Sequence, residues 1–151
     1  QISHSTSDSG GYLLDYDLAL RKVLNKGFSY GVGFILESLR ADFVSRCIPS
    51  QRKIILNTNT DPNKIPFIAG HELGHYVNGD NGICYYTPSS TLQAEAQADN
   101  YSVNLMYEIA EEQEIYFSNP IEFANAFSIP SNRLEAVNKL AHKHKSIFYI
   151  E

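Results

Sequence analysis

The segment His71-Glu72-Leu73-Gly74-His75 contains two histidines, which can bind a metal, and one glutamate, which can act as a base. On an α-helix, residues four apart lie on one face, so the imidazoles of His71 and His75 could bind one Zn²⁺ from the same side. Glu72 would then lie beside the metal, where a carboxylate can take a proton from a water molecule. The alternative is a surface helix with two unrelated histidines.

The surrounding residues predict that this segment is helical. Pro66 suits a first helical turn, because its missing N–H would have no partner there, and Asn78-Gly79 is typical of a helix end. Gly74 lies in the middle of this helix, where glycine costs about 1 kcal/mol relative to alanine. We therefore expect a strand or a substrate backbone to approach closely at Gly74. Apolar residues recur at helical spacing and comprise Phe67, Ile68, Leu73, Tyr76 and Val77.

A second predicted helix, from Thr91 to about Gln113, offers a third ligand, and a catalytic zinc usually has three protein ligands. Its apolar stripe includes Leu92, Ala98, Leu105, Met106 and Ile109. Glu95 and Asp99 lie on or beside this stripe, where unpaired carboxylates are unfavourable and repel each other at a spacing of four. We expect Glu95 to bind the metal and Asp99 to orient a ligating imidazole. A solvated acidic face is the alternative.

This combination of His71-Glu72-x-x-His75 with Glu95-x-x-Ala98-Asp99 resembles the ImmA/IrrE family of metallopeptidases. The resemblance extends upstream to residues 53–57 and 67–71 and downstream to residues 101–106. It implies a zinc-dependent endopeptidase, of a kind that often cuts a helix-turn-helix repressor in phage or mobile-element regulation. Its site would consist of the ligands His71, His75 and Glu95, the base Glu72 and the orienting carboxylate Asp99.

The chain departs from the family pattern at three places. Asn78-Gly79-Asp80 stands where a further histidine is common, Gln97 where a glutamate is common, and Tyr107 where a proline often follows. All expected ligands and the base remain. The departures therefore bear on the identity of the substrate more than on the chemistry.

The composition is that of an ordinary globular protein, with 151 residues, 43% hydrophobic and 19% charged. We expect a single domain over residues 12–151 and a flexible tail over residues 1–11. The net charge of −5 argues against direct nucleic-acid binding. No apolar run approaches the roughly 20 residues that span a bilayer, and the first residues do not resemble a secretory signal. Cys47 and Cys84 are too few for a disulfide framework, so we expect a cytoplasmic protein without a membrane partner.

The predicted fold class is α+β and zincin-like. A small three-stranded antiparallel or mixed sheet would pack on a helical bundle that carries the metal-binding helix. The predicted strands are 31–37, 41–48 and 53–58, with a hairpin over 41–58. The other predicted helices are 12–26, 121–127 and 132–144, and a last strand or tail follows from residue 146. We interpret the last two helices as a packing hairpin rather than a DNA reader, with His142 and His144 on the surface.

Two functions remain open at this stage, besides a purely structural metal site. The first is a zinc endopeptidase whose partner is a protein substrate, with a helix-turn-helix repressor expected from the resemblance. The second is a non-catalytic metal-containing regulator that binds and titrates such a repressor or another protein. An intact Glu72 argues against a structural metal site, which gains nothing from a base. Tyr76, Tyr85, Tyr86 and Tyr101 are equal candidates for stabilising the oxyanion.

Overall fold

A computed structural model describes residues 14–79 and 88–149, with only the backbone described for residues 88–90. This part of the chain has the predicted α+β architecture, with five α-helices and a three-stranded mixed sheet. The expected tail over residues 1–11 lies outside the described residues, and the single domain over 12–151 stays a prediction. No helix among the described residues has the length and apolar character needed to cross a membrane.

The first helix, α1, spans Tyr16–Ser29 and begins later than predicted. Asp15 has extended backbone dihedrals, and its carboxylate accepts a hydrogen bond of 3.0 Å from the N–H of Leu18. This N-cap satisfies an N–H group that has no partner within the helix, so the helix begins at the following residue. Ala19 and Val23 form part of its buried face.

The sheet has the order β1-β3-β2, with β1 at Gly33–Glu37, β2 at Arg46–Ile48 and β3 at Lys53–Asn57. Strand β1 runs parallel to β3, whereas β2 is antiparallel to β3 and forms the predicted hairpin with it. The sheet is therefore mixed, and both β1 and β2 are edge strands.

The prediction of a strand that begins at residue 41 is wrong over residues 41–45. The Asn57 side-chain amide donates to the backbone carbonyls of Arg40 at 2.7 Å and Phe43 at 2.9 Å. The backbone N–H of Asn57 also donates to the hydroxyl of Ser45 at 2.8 Å. These bonds hold residues 39–45 as a loop across the end of β3, so only the last three residues of the predicted strand pair with β3.

Helix α2 spans Ile65–Val77 and is the predicted metal-binding helix. Pro66 occupies its first turn, Asn78 is its C-cap, and Gly79 follows with a φ of +75°. Helix α3 spans Pro88–Glu112 and packs along α2. Most of its predicted apolar stripe is buried, but Leu92 is 70% exposed. Leu92 does not belong to the buried stripe as predicted. Among the described side chains of α3, the buried face begins only at Ala94, and Leu92 lies before it.

Gly70 and Gly74 allow α2 and α3 to approach closely. A Cβ atom at Gly74 would lie 2.9 Å from the carbonyl oxygen and 3.0 Å from the Cα of Ala98, and one at Gly70 would collide with the hydroxyl of Ser102. That hydroxyl donates to the carbonyl of Phe67 at 2.8 Å. The close neighbour of Gly74 is thus helix α3, and the expectation of a strand or a substrate backbone was wrong.

Two short helices, α4 at Pro120–Ala126 and α5 at Leu134–Ala141, complete the core. His142 is exposed as predicted, but the prediction for His144 was wrong, since it is only 8% exposed. Helix α5 ends at Ala141, and the chain then turns back onto α3. The imidazole of His144 stacks on Tyr107 at 4.8 Å between ring centroids. The described part of the chain ends with a 3₁₀ turn at Lys145–Ile147. An isolated bridge between Phe117 and Phe148 follows, and no strand forms there.

The contact at Gly74 yields a stability prediction. We expect Gly74→Ala to lower the free energy of unfolding by about 1–3 kcal/mol, because the added methyl group meets the backbone of Ala98. Urea unfolding followed by circular dichroism measures this change. Gly33→Ala is the control, since its nearest neighbour would be 3.9 Å away. Equal losses in both variants would contradict the proposed role of Gly74.

Candidate metal centre

The three predicted ligands come together at the contact between α2 and α3. His71 and His75 lie one turn apart on α2, and Glu95 reaches them from α3. Their candidate ligand atoms all lie within 4.8 Å of one another. Both histidine side chains are largely buried, whereas the Glu95 side chain is 40% exposed. The two histidines are therefore enclosed by the protein, whereas the cluster is accessible to solvent at Glu95.

The spacing of these atoms fits a small divalent metal. The Nε2 atoms of His71 and His75 are 3.1 Å apart, and the Glu95 oxygens lie 3.0 Å and 2.9 Å from them. In a tetrahedral zinc site with bonds of about 2.0–2.1 Å, two ligand atoms are separated by about 3.3 Å. Two imidazoles and a carboxylate are also a donor set that leaves the fourth position open. The residues thus fit a metal, and their roles as ligands stay predictions.

Asp99 lies where it can orient one of the two imidazoles. Its Oδ1 is 2.6 Å from Nδ1 of His71, so Nδ1 donates the hydrogen bond and Nε2 faces the other candidate ligands. Burial by itself would lower the pKa of His71, but the hydrogen bond to Asp99 and the nearby carboxylates raise it above its ordinary value of 6.5. Asp99 therefore occupies the position that was predicted for it, although its role stays a prediction.

Arg133 completes this arrangement, and no residue pattern in the sequence predicted it. Its Nε donates to Oδ2 of Asp99 at 2.5 Å, from the 3₁₀ turn that precedes α5. Burial raises the pKa of Asp99, but the hydrogen bonds from His71 and Arg133 lower it below its ordinary value. The sequence offered only an indirect signal for Arg133. If Asp99 is buried and binds His71 through one oxygen, its other oxygen also needs a hydrogen-bond donor.

Glu72 lies beside the cluster without belonging to its ligand set. Its Oε2 is 3.9 Å from Nε2 of His71. Burial raises the pKa of Glu72 to about 7, even though the two imidazoles lower it and a backbone hydrogen bond from the N–H of Cys47 also lowers it. Since Cys47 belongs to the edge strand β2, this hydrogen bond brings the edge of the sheet to the carboxylate.

The tyrosines give no single candidate for the oxyanion role. Tyr85 and Tyr86 lie outside the described residues. The hydroxyl of Tyr101 is 3.5 Å from that of Tyr30, and a raised pKa caused mainly by burial keeps the Tyr101 hydroxyl protonated. Tyr76 is half-buried near the end of α2.

The fold and the cluster agree with the comparison to protein families. Residues 36–147 match the family model Peptidase_M78, whose description is IrrE N-terminal-like domain. The chain belongs to this family. The match includes α2 and α3 and confirms the resemblance to ImmA/IrrE proteins. Neither curated proteins nor solved structures give a match. At the level of the family, the chain is thus an IrrE N-terminal-like domain of metallopeptidase type.

The charges around His71 predict that metal binding at this cluster depends on pH. A histidine must lose its proton to bind a metal, and the pKa of His71 is raised. We expect zinc affinity to be highest above that pKa and to fall by up to about ten-fold per pH unit below it. Competition with a chromophoric chelator between pH 8 and pH 6 measures this. An affinity that does not change over this range would contradict the prediction.

Arg133 provides a second test of the arrangement. We expect Arg133→Met to weaken zinc binding by about ten-fold, because Asp99 would lose the partner that holds it against His71. Lys22→Met is the matched control, since it removes an exposed ion pair with Glu112 far along α3. Chelator competition on both variants, with circular dichroism to establish folding, gives the comparison. Unchanged affinity in Arg133→Met would show that Asp99 needs no such partner.

Proposed function

We propose that this domain is a zinc-dependent endopeptidase that hydrolyses a peptide bond with a metal-activated water. The observation that supports this best is the convergence of His71, His75 and Glu95 beside the buried carboxylate of Glu72. Membership of the peptidase family is consistent with it. The metal identity, the reaction and the substrate are all part of the proposal.

Glu72 acts as the base in this proposal. A zinc ion held by the three ligands would supply a Lewis acid for the peptide carbonyl and lower the pKa of a water molecule toward about 7. The Glu72 carboxylate accepts a proton from that water and passes it to the nitrogen of the leaving amine. Burial raises the pKa of Glu72, which makes its carboxylate a stronger base, whereas a bound zinc ion would lower this pKa again and keep the carboxylate ionised at neutral pH.

In this proposal, Asp99 and Arg133 fix the tautomer and the orientation of His71. Asp99 keeps the proton of His71 on Nδ1, which directs the lone pair of Nε2 toward the metal position. Arg133 neutralises Asp99 and fixes its second oxygen. The imidazole of His71 thus keeps both its tautomer and its orientation while Glu72 accepts a proton and passes it on.

Strand β2 provides a surface for the substrate backbone. It is an edge strand, and because the N–H of its residue Cys47 donates to Glu72, a peptide bound there would use the remaining backbone groups of this edge. An extended peptide can add to such an edge through backbone hydrogen bonds. In that position the peptide would pass directly beside the proposed base and the metal ligands.

We further propose that the substrate is a helix-turn-helix repressor, on the basis of the family resemblance. The test is to incubate the metal-loaded domain with helix-turn-helix repressors, including one encoded beside this gene if there is one. Fragments that disappear with a chelator would support the proposal. A stable complex without fragments would favour the alternative, a non-catalytic regulator that titrates the repressor.

Two variants separate catalysis from metal binding. Glu72→Gln should retain zinc but lose at least about 10²-fold in hydrolysis rate, because the general base is removed while the ligands remain. Glu95→Ala should lose both zinc and activity. Metal analysis after dialysis and a peptide-cleavage assay give the two readouts. Full zinc occupancy in Glu95→Ala would contradict the assignment of Glu95 as a ligand. Full activity in Glu72→Gln would contradict the role of Glu72 as the base.

A further inference from the structure

A cavity of about 630 Å³ opens beside the candidate metal centre. His71 and Glu72 belong to its lining, together with further residues of α2, residues 41–45 of the loop and the polar residues Asn57, Asn59, Thr60 and Ser128. Most of the lining surface is nevertheless apolar, and its apolar side chains belong to Ala41, Phe43, Val44, Phe67, Ile68 and Pro130. The charged residues Asp42 and Lys64 are exposed and of opposite sign. The cavity therefore presents a largely apolar surface next to the groups proposed for catalysis.

The distance along α2 matches the reach of one amino-acid side chain. Phe67 and Ile68 precede His71 and Glu72 by four residues, which corresponds to about one helical turn, or roughly 5–6 Å. A side chain that extends from a residue next to the scissile bond would reach this part of α2. The cavity is thus placed for recognition close to the reaction centre rather than for a distant anchor.

Val44 faces this cavity although it is 70% exposed. Burial of an aliphatic side chain is favourable, so such exposure beside an apolar cavity leaves a surface that a ligand could cover. Its neighbour Phe43 is partly covered, with the guanidinium carbon of Arg46 lying 5.1 Å from the ring centroid. Phe43 thus has a contact within the protein, whereas most of the Val44 side chain is exposed to a ligand.

The loop that carries Val44 is held in place before any ligand binds. The side-chain oxygen of Asn57 accepts from the N–H groups of Leu39 at 2.9 Å and Asn59 at 3.0 Å, in addition to the two carbonyls that its amide contacts. The side chain of Asn59 also donates to the carbonyl of Leu39 at 2.8 Å. A wall fixed in this way binds a ligand without a further cost of ordering the loop.

We propose that this cavity binds a large apolar side chain, such as Leu or Phe, of one of the two residues flanking the scissile bond. The proposal rests on the peptidase function proposed above and adds a substrate class to it. Its occupant follows from two features: most of the lining surface is apolar, and this surface is continuous with His71 and Glu72. A charged side chain would lose hydration there, and apart from His71 and Glu72, which the proposed reaction uses, the charged residues of the lining are the exposed Asp42 and Lys64.

Binding is tested first, with the zinc-loaded Glu72→Gln variant, which should hold peptides without cutting them. Fluorescein-labelled Ala/Ser hexapeptides carry Leu, Phe, Ala or Glu at each position in turn. We expect Leu and Phe at one position to bind about ten-fold tighter than Ala. Adding Val44→Asp should reduce this preference to three-fold or less. Ile121→Asp is the control, because Ile121 is a similarly exposed aliphatic residue on α4, at 55%, and does not line the cavity.

Cleavage is tested second, by sequencing the products that the unsubstituted domain releases from a random peptide mixture. We expect Leu or Phe on one side of the cut, and a shift toward Lys or Arg in Val44→Asp. Equal or unmeasurable binding of all peptides, or a preference that Val44→Asp leaves intact, overturns the inference. Cleavage without an apolar preference also overturns it. Apolar binding that depends on Val44 without any cleavage supports the cavity and overturns the peptidase function.

Discussion

The close approach of α2 and α3 is the constraint on which the rest of the structure depends. Gly74 has no side chain where the backbone of Ala98 comes closest, and Gly70 makes room for Ser102. One helix carries two candidate ligands and the other carries the third, so a small separation of the axes would pull the three ligand atoms apart. The cost of about 1 kcal/mol for glycine in a helix is therefore offset by a geometry that larger residues would not permit.

The sequence predicted what depends on local spacing and on the chemistry of individual residues. The i, i+4 histidines and the Pro66 helix start follow from helical periodicity, and a partner for the buried carboxylate of Asp99 follows from the unfavourable burial of unpaired charge. The hairpin of β2 and β3 was predicted too, although its first strand is shorter than expected. These features need no knowledge of distant parts of the chain.

The remaining features depend on contacts between residues far apart in the sequence. Asn57 converts part of a predicted strand into a loop because its amide bonds to carbonyls 14 and 17 residues away. Arg133 meets Asp99 across 34 residues, and His144 meets Asn104 across 40. In each case local composition was compatible with another arrangement, and tertiary hydrogen bonds decided between them.

The bond between Arg133 and Asp99 has a consequence beyond the orientation of one imidazole. It joins the turn before α5 to the helix that carries Glu95, so the docking of the C-terminal helices and the occupancy of the metal position share one hydrogen-bond network. Such a linkage is reciprocal: if metal binding strengthens the docking of α5 by some factor, the docking of α5 strengthens metal binding by the same factor. Metal binding would then stabilise the packing of α5 against the domain. A partner that binds α5 would in turn change the metal affinity.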